Sequence, residues 1–171
     1  MNKKVLSLVH AAVIAALYVV LTLLANALGL ANYAIQLRFS EALTILPFFT
    51  PAAIPGLFAG CLLANLLTGA MPLDVIFGSI ATLLGGIGTY YLCGKAKGAN
   101  QTSRVKPWLA PLPPILANIL IVPFILSYVY QFEGSIPYFM LTVGAGEVLS
   151  CGVLGILLLN ILKKYRTYIF R

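Results

Sequence analysis

Four carboxylates are the side chains of this sequence that could do chemistry in an otherwise apolar chain. Of its 171 residues, 61% are hydrophobic, 9% are charged and only four are acidic. Glu147 lies in the stretch VGAGEVLSCG, deep inside a long apolar segment. A charge at the centre of a membrane helix costs about 2.5–3.5 kcal/mol on insertion scales, and such residues usually face a bundle interior or a polar cavity. We therefore predict that Glu147 contacts a ligand, with protonation or pairing between packed helices as the structural alternative.

Two amides are candidates for the same site. Asn118, in PILANILIVP, is expected at a similar depth to Glu147, and Asn65 lies in the outer part of another apolar segment. An amide both donates and accepts hydrogen bonds, and burying one without a partner is costly. Amides also hold membrane helices together. Ligand contact and inter-helix hydrogen bonding therefore both stay open.

The stretch QLRFSEALTILP places Arg38 and Glu41 three residues apart between two apolar segments. Ser40 is expected to cap the following helix, with Glu41 in its first turn, where the helix dipole favours a negative charge. Arg38 could simply pair with Glu41. Alternatively, Arg38, Glu41 and Tyr33 form a lid over a pocket and contact its ligand.

The remaining two acids have plain structural explanations. Pro72 is expected to open a helix with Asp74 in its first turn, so a structural role and a ligand contact are both open for Asp74. Glu133 lies in the polar loop YQFEGSIP and is expected to be solvated.

No catalytic motif is visible. GTYYLCGKA resembles a phosphate-binding loop, but it has five residues instead of four between its glycines, and Ala96 follows Lys95. Cys61, Cys93 and Cys151 are far apart in apolar segments, so we expect buried, inert thiols and no metal site. We predict that the chain is not an enzyme.

The apolar segments predict an all-α, polytopic membrane protein that forms a single domain over residues 1–171. A membrane span needs about 20 residues. The first apolar segment is too long for a signal peptide and is interpreted as a retained span. Six transmembrane helices are predicted, at 5–29, 40–50, 52–69, 73–93, 107–130 and 137–162. The second is too short to cross alone, so residues 40–69, with Pro51 and Pro55, are predicted as a helical hairpin.

The basic residues predict the orientation of these spans. With six spans, both termini and the 94–106 loop lie on one side. All eleven Lys and Arg residues except Arg38 belong to that side: Lys3, Lys4, Lys95, Lys97, Arg104, Lys106, Lys163, Lys164, Arg166 and Arg171. Cytoplasmic loops are rich in Lys and Arg, so both termini are predicted to be cytoplasmic. The net charge of +7 is thus an orientation signal and does not indicate nucleic-acid binding. The carboxylates fall in the outer half, which predicts a site open to the outside.

Small residues recur four apart in two of the predicted spans. Such spacing permits close approach of helix backbones, either within the chain or against a partner. The pairs are Ala11 with Ala15, Ala12 with Ala16, and Gly56 with Gly60.

Taken together, IQLRFSEALTILPFF, the MPLD turn and GAGEVLSC resemble the queuosine-precursor transporter (QueT) family, the substrate-binding S components of energy-coupling-factor (ECF) transporters. The resemblance implies six helices, a cytoplasmic N-terminus and a pocket open to the outside of the plasma membrane. It also implies a face of Ala11, Ala12, Ala15 and Ala16 that docks on a coupling transmembrane subunit. Two partner ATPase subunits would use the ATP, so no cofactor is expected in this chain.

The cargo implied by the resemblance is a 7-deazaguanine: the aminomethyl or cyano precursor, or queuine. One carboxylate can accept from N1–H and the exocyclic amine together, and Glu147 is the candidate. Asn118 or Asn65 could read the carbonyl or ring nitrogens, and Glu41 or Asp74 would suit a protonated aminomethyl group. Tyr33 could stack on the ring.

Three other functions are considered. An S component for another vitamin-like substrate would share the same architecture. A stand-alone proton-coupled carrier would use Glu147 as its proton site, but no internal repeat of the kind seen in many carriers is visible. An intramembrane enzyme would need a second catalytic group at a recognisable spacing, and none is found.

Overall fold

The computed structural model describes residues 2–30, 37–94 and 107–169, and every regular element within them is a helix. The predicted all-α class is therefore confirmed. The principal helices are α1 (Lys3–Ala27), a 3-10 helix (Phe39–Phe48), α2 (Ala53–Leu67), α3 (Pro72–Thr89), α4 (Leu112–Phe124), α5 (Ile136–Glu147) and α6 (Gly155–Ile169). Short π-helical segments extend α3 (Tyr90–Gly94) and α4 (Ile125–Val129), and a third, Val148–Leu154, joins α5 to α6.

Four helices are long and apolar enough to cross a membrane, counting only the described residues: Lys3–Ala27, Pro72–Cys93, Pro107–Val129 and Ile136–Tyr165. The 3-10 helix has 10 residues and α2 has 15. At about 2.0 and 1.5 Å per residue, each is only about 20 Å long, against a hydrocarbon core of about 30 Å. Helices thus occur at all six predicted positions, while six crossings and cytoplasmic termini stay predictions.

Part of the predicted charge pattern falls beyond the described chain. Lys95, Lys97, Arg104, Lys106 and Arg171 lie outside the described residues, and the Arg166 side chain is likewise not described. Lys3 and Lys4 begin α1, and Lys163 and Lys164 lie in α6.

The 3-10 helix forms the centre of the bundle. Its residues from Ser40 to Phe48 are all buried, in contact with α1, α3, α6 and the Val148–Leu154 segment. Such helices rarely exceed three or four residues. Membrane proteins tolerate irregular backbone where other protein segments enclose it, and this helix is enclosed by the bundle. Pro47, which has no N–H to donate, lies near its end. This helix carries Glu41 into the interior.

The predicted cap of this helix is wrong. Arg38 occupies the N-cap position, and no side chain provides a capping hydrogen bond. Ser40 lies within the helix and instead accepts a hydrogen bond from Thr22 Oγ1 at 2.9 Å. Ser40 does not cap the helix because its hydroxyl is hydrogen-bonded to Thr22 on α1. Glu41 does lie in the first turn, as predicted.

Small residues bring α1 and α2 into close contact. An added Cβ at Gly56 would lie 2.6 Å from the carbonyl oxygen of Ala11, and one at Gly60 would lie 3.0 Å from Ala15 Cα. Ala11 and Ala15 therefore pack within the chain. Ala12 and Ala16, on the adjacent side of α1, are exposed.

Candidate ligand-binding site

Two carboxyl groups from distant parts of the chain meet in the bundle interior. Glu41 comes from the 3-10 helix and Glu147 ends α5, and they are only 2% and 8% exposed. A carboxyl oxygen of each and the Cys151 thiol sulfur lie within 4.8 Å of one another. Cys151 belongs to the Val148–Leu154 π-helical segment, and such π-bulges are frequent at functional sites.

Hydrogen bonds position both carboxyls. The Tyr18 hydroxyl donates to Glu41 Oε1. The Cys151 thiol lies 3.0 Å from Glu147 Oε2 and donates to it, and its sulfur is 3.4 Å from the Glu41 carbonyl oxygen. Thr44 Oγ1 also donates to that carbonyl, at 2.6 Å. Donors from α1 and from the segment after α5 thus fix the pair.

Three buried polar atoms of the described residues have no hydrogen-bond partner: Glu41 Oε2, Asn118 Nδ2 and Ser150 Oγ, of which the first two belong to predicted site residues. The Asn118 side chain, on α4, is close enough to interact with both carboxyls, but its Nδ2 makes no hydrogen bond of acceptable geometry. Hydrogen bonding depends steeply on alignment, so this closeness does not satisfy the Asn118 Nδ2 donor. Each unpaired group costs about 1–3 kcal/mol when buried. A free acceptor beside a free donor suits a ligand that offers both.

A polar cavity of about 230 Å³ lies next to this cluster. Arg38, Asn65 and Asp74 line it, whereas Glu41, Asn118 and Glu147 do not. The predicted site residues therefore divide into a cavity group and a buried inner group. Sequence reasoning missed the other polar lining residues, which are Thr22, Asn26, Thr68 and Tyr130.

Asp74 is held in the cavity wall by a tyrosine. It lies in the first turn of α3, after Pro72, as predicted. The Tyr130 hydroxyl donates to Asp74 Oδ2 at 2.8 Å and accepts from the Met71 N–H at 3.2 Å. Tyr130 thereby ties the start of α3 to the segment that follows α4.

A chain of polar contacts joins the cavity to the inner carboxyls. Asn65 Nδ2 donates to Cys61 Sγ at 3.7 Å, and the Cys61 thiol interacts with Tyr18, which donates to Glu41. Arg38 interacts electrostatically with Asp74 and Glu41, and also with Glu147. The two groups therefore form one continuous polar region.

Comparison with known proteins identifies the family of this chain. The family model described as "QueT transporter" matches residues 8–164. The chain belongs to the QueT transporter family. Together with the four long apolar helices, this makes it a membrane-embedded member of a transporter family, and the family resemblance noted in the sequence is confirmed.

A curated relative that is similar in sequence to this chain is the "Queuosine precursor transporter QueT" of Lactococcus lactis subsp. cremoris (strain MG1363). The two are 36% identical over 83 residues, which cover 48% of this chain and 48% of the relative. The chain therefore matches about half the length of that protein. No solved structure matches this chain.

The cysteines of this QueT family member are more involved than predicted. All three are free and buried, as expected. That they are inert stays a prediction, although Cys61 and Cys151 make hydrogen bonds with predicted site residues. The four-residue spacing of Glu147 and Cys151 is the one sequence signal that could have indicated their contact. No comparable signal links Tyr18 to Glu41.

The cluster of Glu41, Glu147 and Cys151 also has the donor types of a metal site. A structural zinc site takes four ligands, and this cluster supplies three. One of the three is the Cys151 thiol, which donates a hydrogen bond to Glu147. The expectation of no metal site stays a prediction. Of the other predicted residues, Glu133 is exposed, as expected, and Tyr33 lies outside the described residues.

Proposed function

We propose that this chain is the substrate-binding S component of an ECF importer and takes up a queuosine precursor of the 7-deazaguanine type. Membership of the QueT transporter family supports transport. The name of the L. lactis relative supports the substrate class. In this proposal the chain has no catalytic role and no cofactor of its own.

The observation that carries the proposal is the pair of unpartnered buried atoms, Glu41 Oε2 and Asn118 Nδ2, beside Glu147. A guanine-type edge offers two adjacent donors, N1–H and the exocyclic amine, next to a carbonyl acceptor. The carboxyls accept from the two donors and Asn118 donates to the carbonyl. Apolar walls with a few convergent polar groups are typical of small-ligand sites. Each of the two orphan atoms then gains a partner of the opposite type.

The ligand reaches this inner group through the polar cavity that Arg38, Asn65 and Asp74 line. Arg38 is half-buried at the start of the 3-10 helix. There its positive charge interacts with the carboxyl groups of Glu41, Asp74 and Glu147. Its role in the proposal is to hold Glu41 and Asp74 and to contact the substrate as it enters.

The energy for transport comes from partner subunits. In this proposal the docking surface on α1 consists of Ala12 and Ala16. Both are exposed, whereas Ala11 and Ala15 pack against α2. The coupling transmembrane subunit binds this surface, and two ATPase subunits use the ATP. The proposed location is the plasma membrane, with both termini in the cytoplasm.

Substitution of Glu147 tests the proposal. Glu147→Gln keeps the size of the side chain but removes the carboxylate, so affinity for 7-deazaguanines should fall at least about tenfold, the loss expected for one charged hydrogen bond. Glu133→Gln is the matched control, because it changes an exposed loop carboxyl. Calorimetry on the detergent-purified chains measures both. Equal affinities in the two variants would remove Glu147 from the site.

A stand-alone proton-coupled carrier is the second candidate. The observation in its favour is the closeness of two buried carboxyls, which can share a proton. Reconstituted vesicles distinguish the two candidates. Uptake by this chain alone, driven by a proton gradient and without ATP, would favour the carrier. A requirement for ATP and for copurifying subunits would favour the S component.

A further inference from the structure

Phe132 is an apolar side chain in a polar, exposed loop. The loop precedes α5, and its residues from Gln131 to Ser135 are all exposed. Phe132 itself is 44% exposed, and its ring lines the polar cavity of about 230 Å³ that Arg38 and Asp74 also line. Removing an aromatic ring from water is favourable, so this ring offers apolar surface to a ligand in the cavity.

The backbone around Gln131 places two aromatic residues in the cavity wall. Gln131 separates Tyr130 from Phe132, and its φ of +52° is the one positive value for a non-glycine residue in the described ranges. The Phe132 N–H donates to the Leu126 carbonyl at 3.1 Å, and Leu126 lines the cavity too. The ring centroids of Tyr130 and Phe132 are 5.6 Å apart, with 31° between the ring planes. Residues held in such unfavourable conformations cluster at ligand-binding sites.

The two aromatic residues differ in how far they are already engaged. The Tyr130 hydroxyl is fixed between Asp74 Oδ2 and the Met71 N–H. Phe132 has no polar atom to fix its ring, and its contact is with the ring of Tyr130. Flat aromatic rings attract one another in offset or edge-on arrangements. An open ring among polar side chains therefore suits a flat ligand with polar groups at its edge.

We infer that Phe132 is a further substrate-binding residue, which stacks on the flat ring system of the ligand and is positioned by the left-handed backbone at Gln131. This inference rests on the proposed function, in which the edge of the base pairs with Glu41, Glu147 and Asn118. Phe132 contacts the face of the base. Stacking depends on the ring and not on its substituent, so Phe132 contributes equally to the binding of different 7-deazaguanines.

Calorimetry with 7-cyano- and 7-aminomethyl-7-deazaguanine measures this contribution. Phe132→Leu keeps an apolar side chain but removes the aromatic ring, so affinity for both ligands should fall by the same factor, about twofold to tenfold. Phe132→Tyr keeps the ring and should bind as tightly as the unsubstituted chain. Phe124→Leu is the matched control and should leave affinity unchanged. Phe124 is also 44% exposed and stacks on Tyr128, but it does not line the polar cavity.

Fluorescence provides an independent measurement of stacking. The chain has one tryptophan, Trp108, so Phe132→Trp in a Trp108→Phe background places its single indole in the cavity wall. A purine-like ring that stacks on an indole quenches its emission, and saturating ligand should therefore reduce the fluorescence of this variant. The unsubstituted chain should show little change, because Trp108 lies in the short helix Pro107–Leu109 and does not line the cavity.

A double substitution tests the positioning role of Gln131. Asn adopts the left-handed conformation more readily than other non-glycine residues, whereas for a β-branched residue it is an outlier. Gln131→Asn should therefore keep the affinity, and Gln131→Val should lower it about as far as Phe132→Leu does. Added to Phe132→Leu, Gln131→Val should cause no further loss, because both substitutions remove the same contact. A further, additive loss would show that Gln131 does not act through Phe132.

The outcomes separate this inference from the function on which it rests. Unchanged affinity in Phe132→Leu, or unchanged emission of Phe132→Trp at saturating ligand, would overturn the stacking role and leave the proposed function standing. Failure of the unsubstituted chain to bind either ligand would overturn the proposed function and the inference together. The Phe132→Trp titration is decisive even if Phe132→Leu fails to fold.

Discussion

Replacing Gly60 with alanine should strain the contact between α1 and α2 and, through it, the candidate site. The added Cβ would lie 2.8 Å from Tyr18 Cβ and 3.0 Å from both Cα and the carbonyl oxygen of Ala15. Ordinary contacts begin at 3.4 Å, so the helices must separate by about half an ångström in an interior packed as densely as a crystal. Two of the three contacts are with backbone, and no rotamer change can relieve them.

The magnitude follows from two opposing effects. Overpacking a core costs about 1–3 kcal/mol, while alanine in a helix interior is about 0.8–1.0 kcal/mol better than glycine. Because the clash is with backbone, we expect a net loss of about 1–2 kcal/mol in the free energy of unfolding. The same shift moves Tyr18, whose hydroxyl donates to Glu41, so ligand affinity should also fall.

Thermal unfolding and calorimetry of the detergent-purified protein measure these two effects. Gly86→Ala is the matched control, since Gly86 is also a buried helical glycine. Its added Cβ would meet Pro47 and Leu57 at ordinary distances of 3.6 and 3.8 Å. Gly86→Ala should therefore be as stable as the unsubstituted chain, or more so. If Gly60→Ala matches it in stability and ligand affinity, the reasoning about the α1–α2 contact is refuted.

Tyr18→Phe leaves a buried carboxyl without its donor, so the free energy of unfolding should fall by about 1.5–3 kcal/mol, and an unchanged melting temperature would contradict the contact with Glu41. Cys151→Ala should weaken ligand binding about twofold to tenfold by removing the donor to Glu147, whereas Cys151→Ser keeps a donor and should lose less. If calorimetry finds equal affinity for the two Cys151 variants, the thiol has no role at the site. Ala16→Trp should leave ligand binding intact but block copurification with the coupling subunit, and normal assembly of this variant would place docking elsewhere.

The helices could be predicted from the sequence because their signal is local. Apolar segments bounded by Pro and polar residues located all six helical positions. The predicted 40–50 and 52–69 segments correspond to Phe39–Phe48 and Ala53–Leu67. The 3-10 form of the first was not predicted, because it results from enclosure by other helices and not from the propensities of its own residues. The cap at Ser40 failed for the same reason, since its partner Thr22 lies on α1.

The candidate site could be predicted only in part. Rare charges in an apolar chain drew attention to Glu41, Asp74 and Glu147, and the structure places all three in one polar region. The division between the cavity and the inner group was not predictable, since it depends on how α3, α4 and the 3-10 helix pack. Tyr18 and Tyr130 were missed because a tyrosine in an apolar segment is usual, and only its tertiary partner distinguishes it.

The central claim is that this chain binds a 7-deazaguanine, and calorimetry of the purified, unsubstituted chain tests it most directly. The titrants are 7-aminomethyl-7-deazaguanine, 7-cyano-7-deazaguanine, queuine and guanine. Tight binding of at least one deazaguanine, with guanine bound much more weakly, is the predicted result. Failure of every deazaguanine to bind, or equal binding of guanine, would contradict the account.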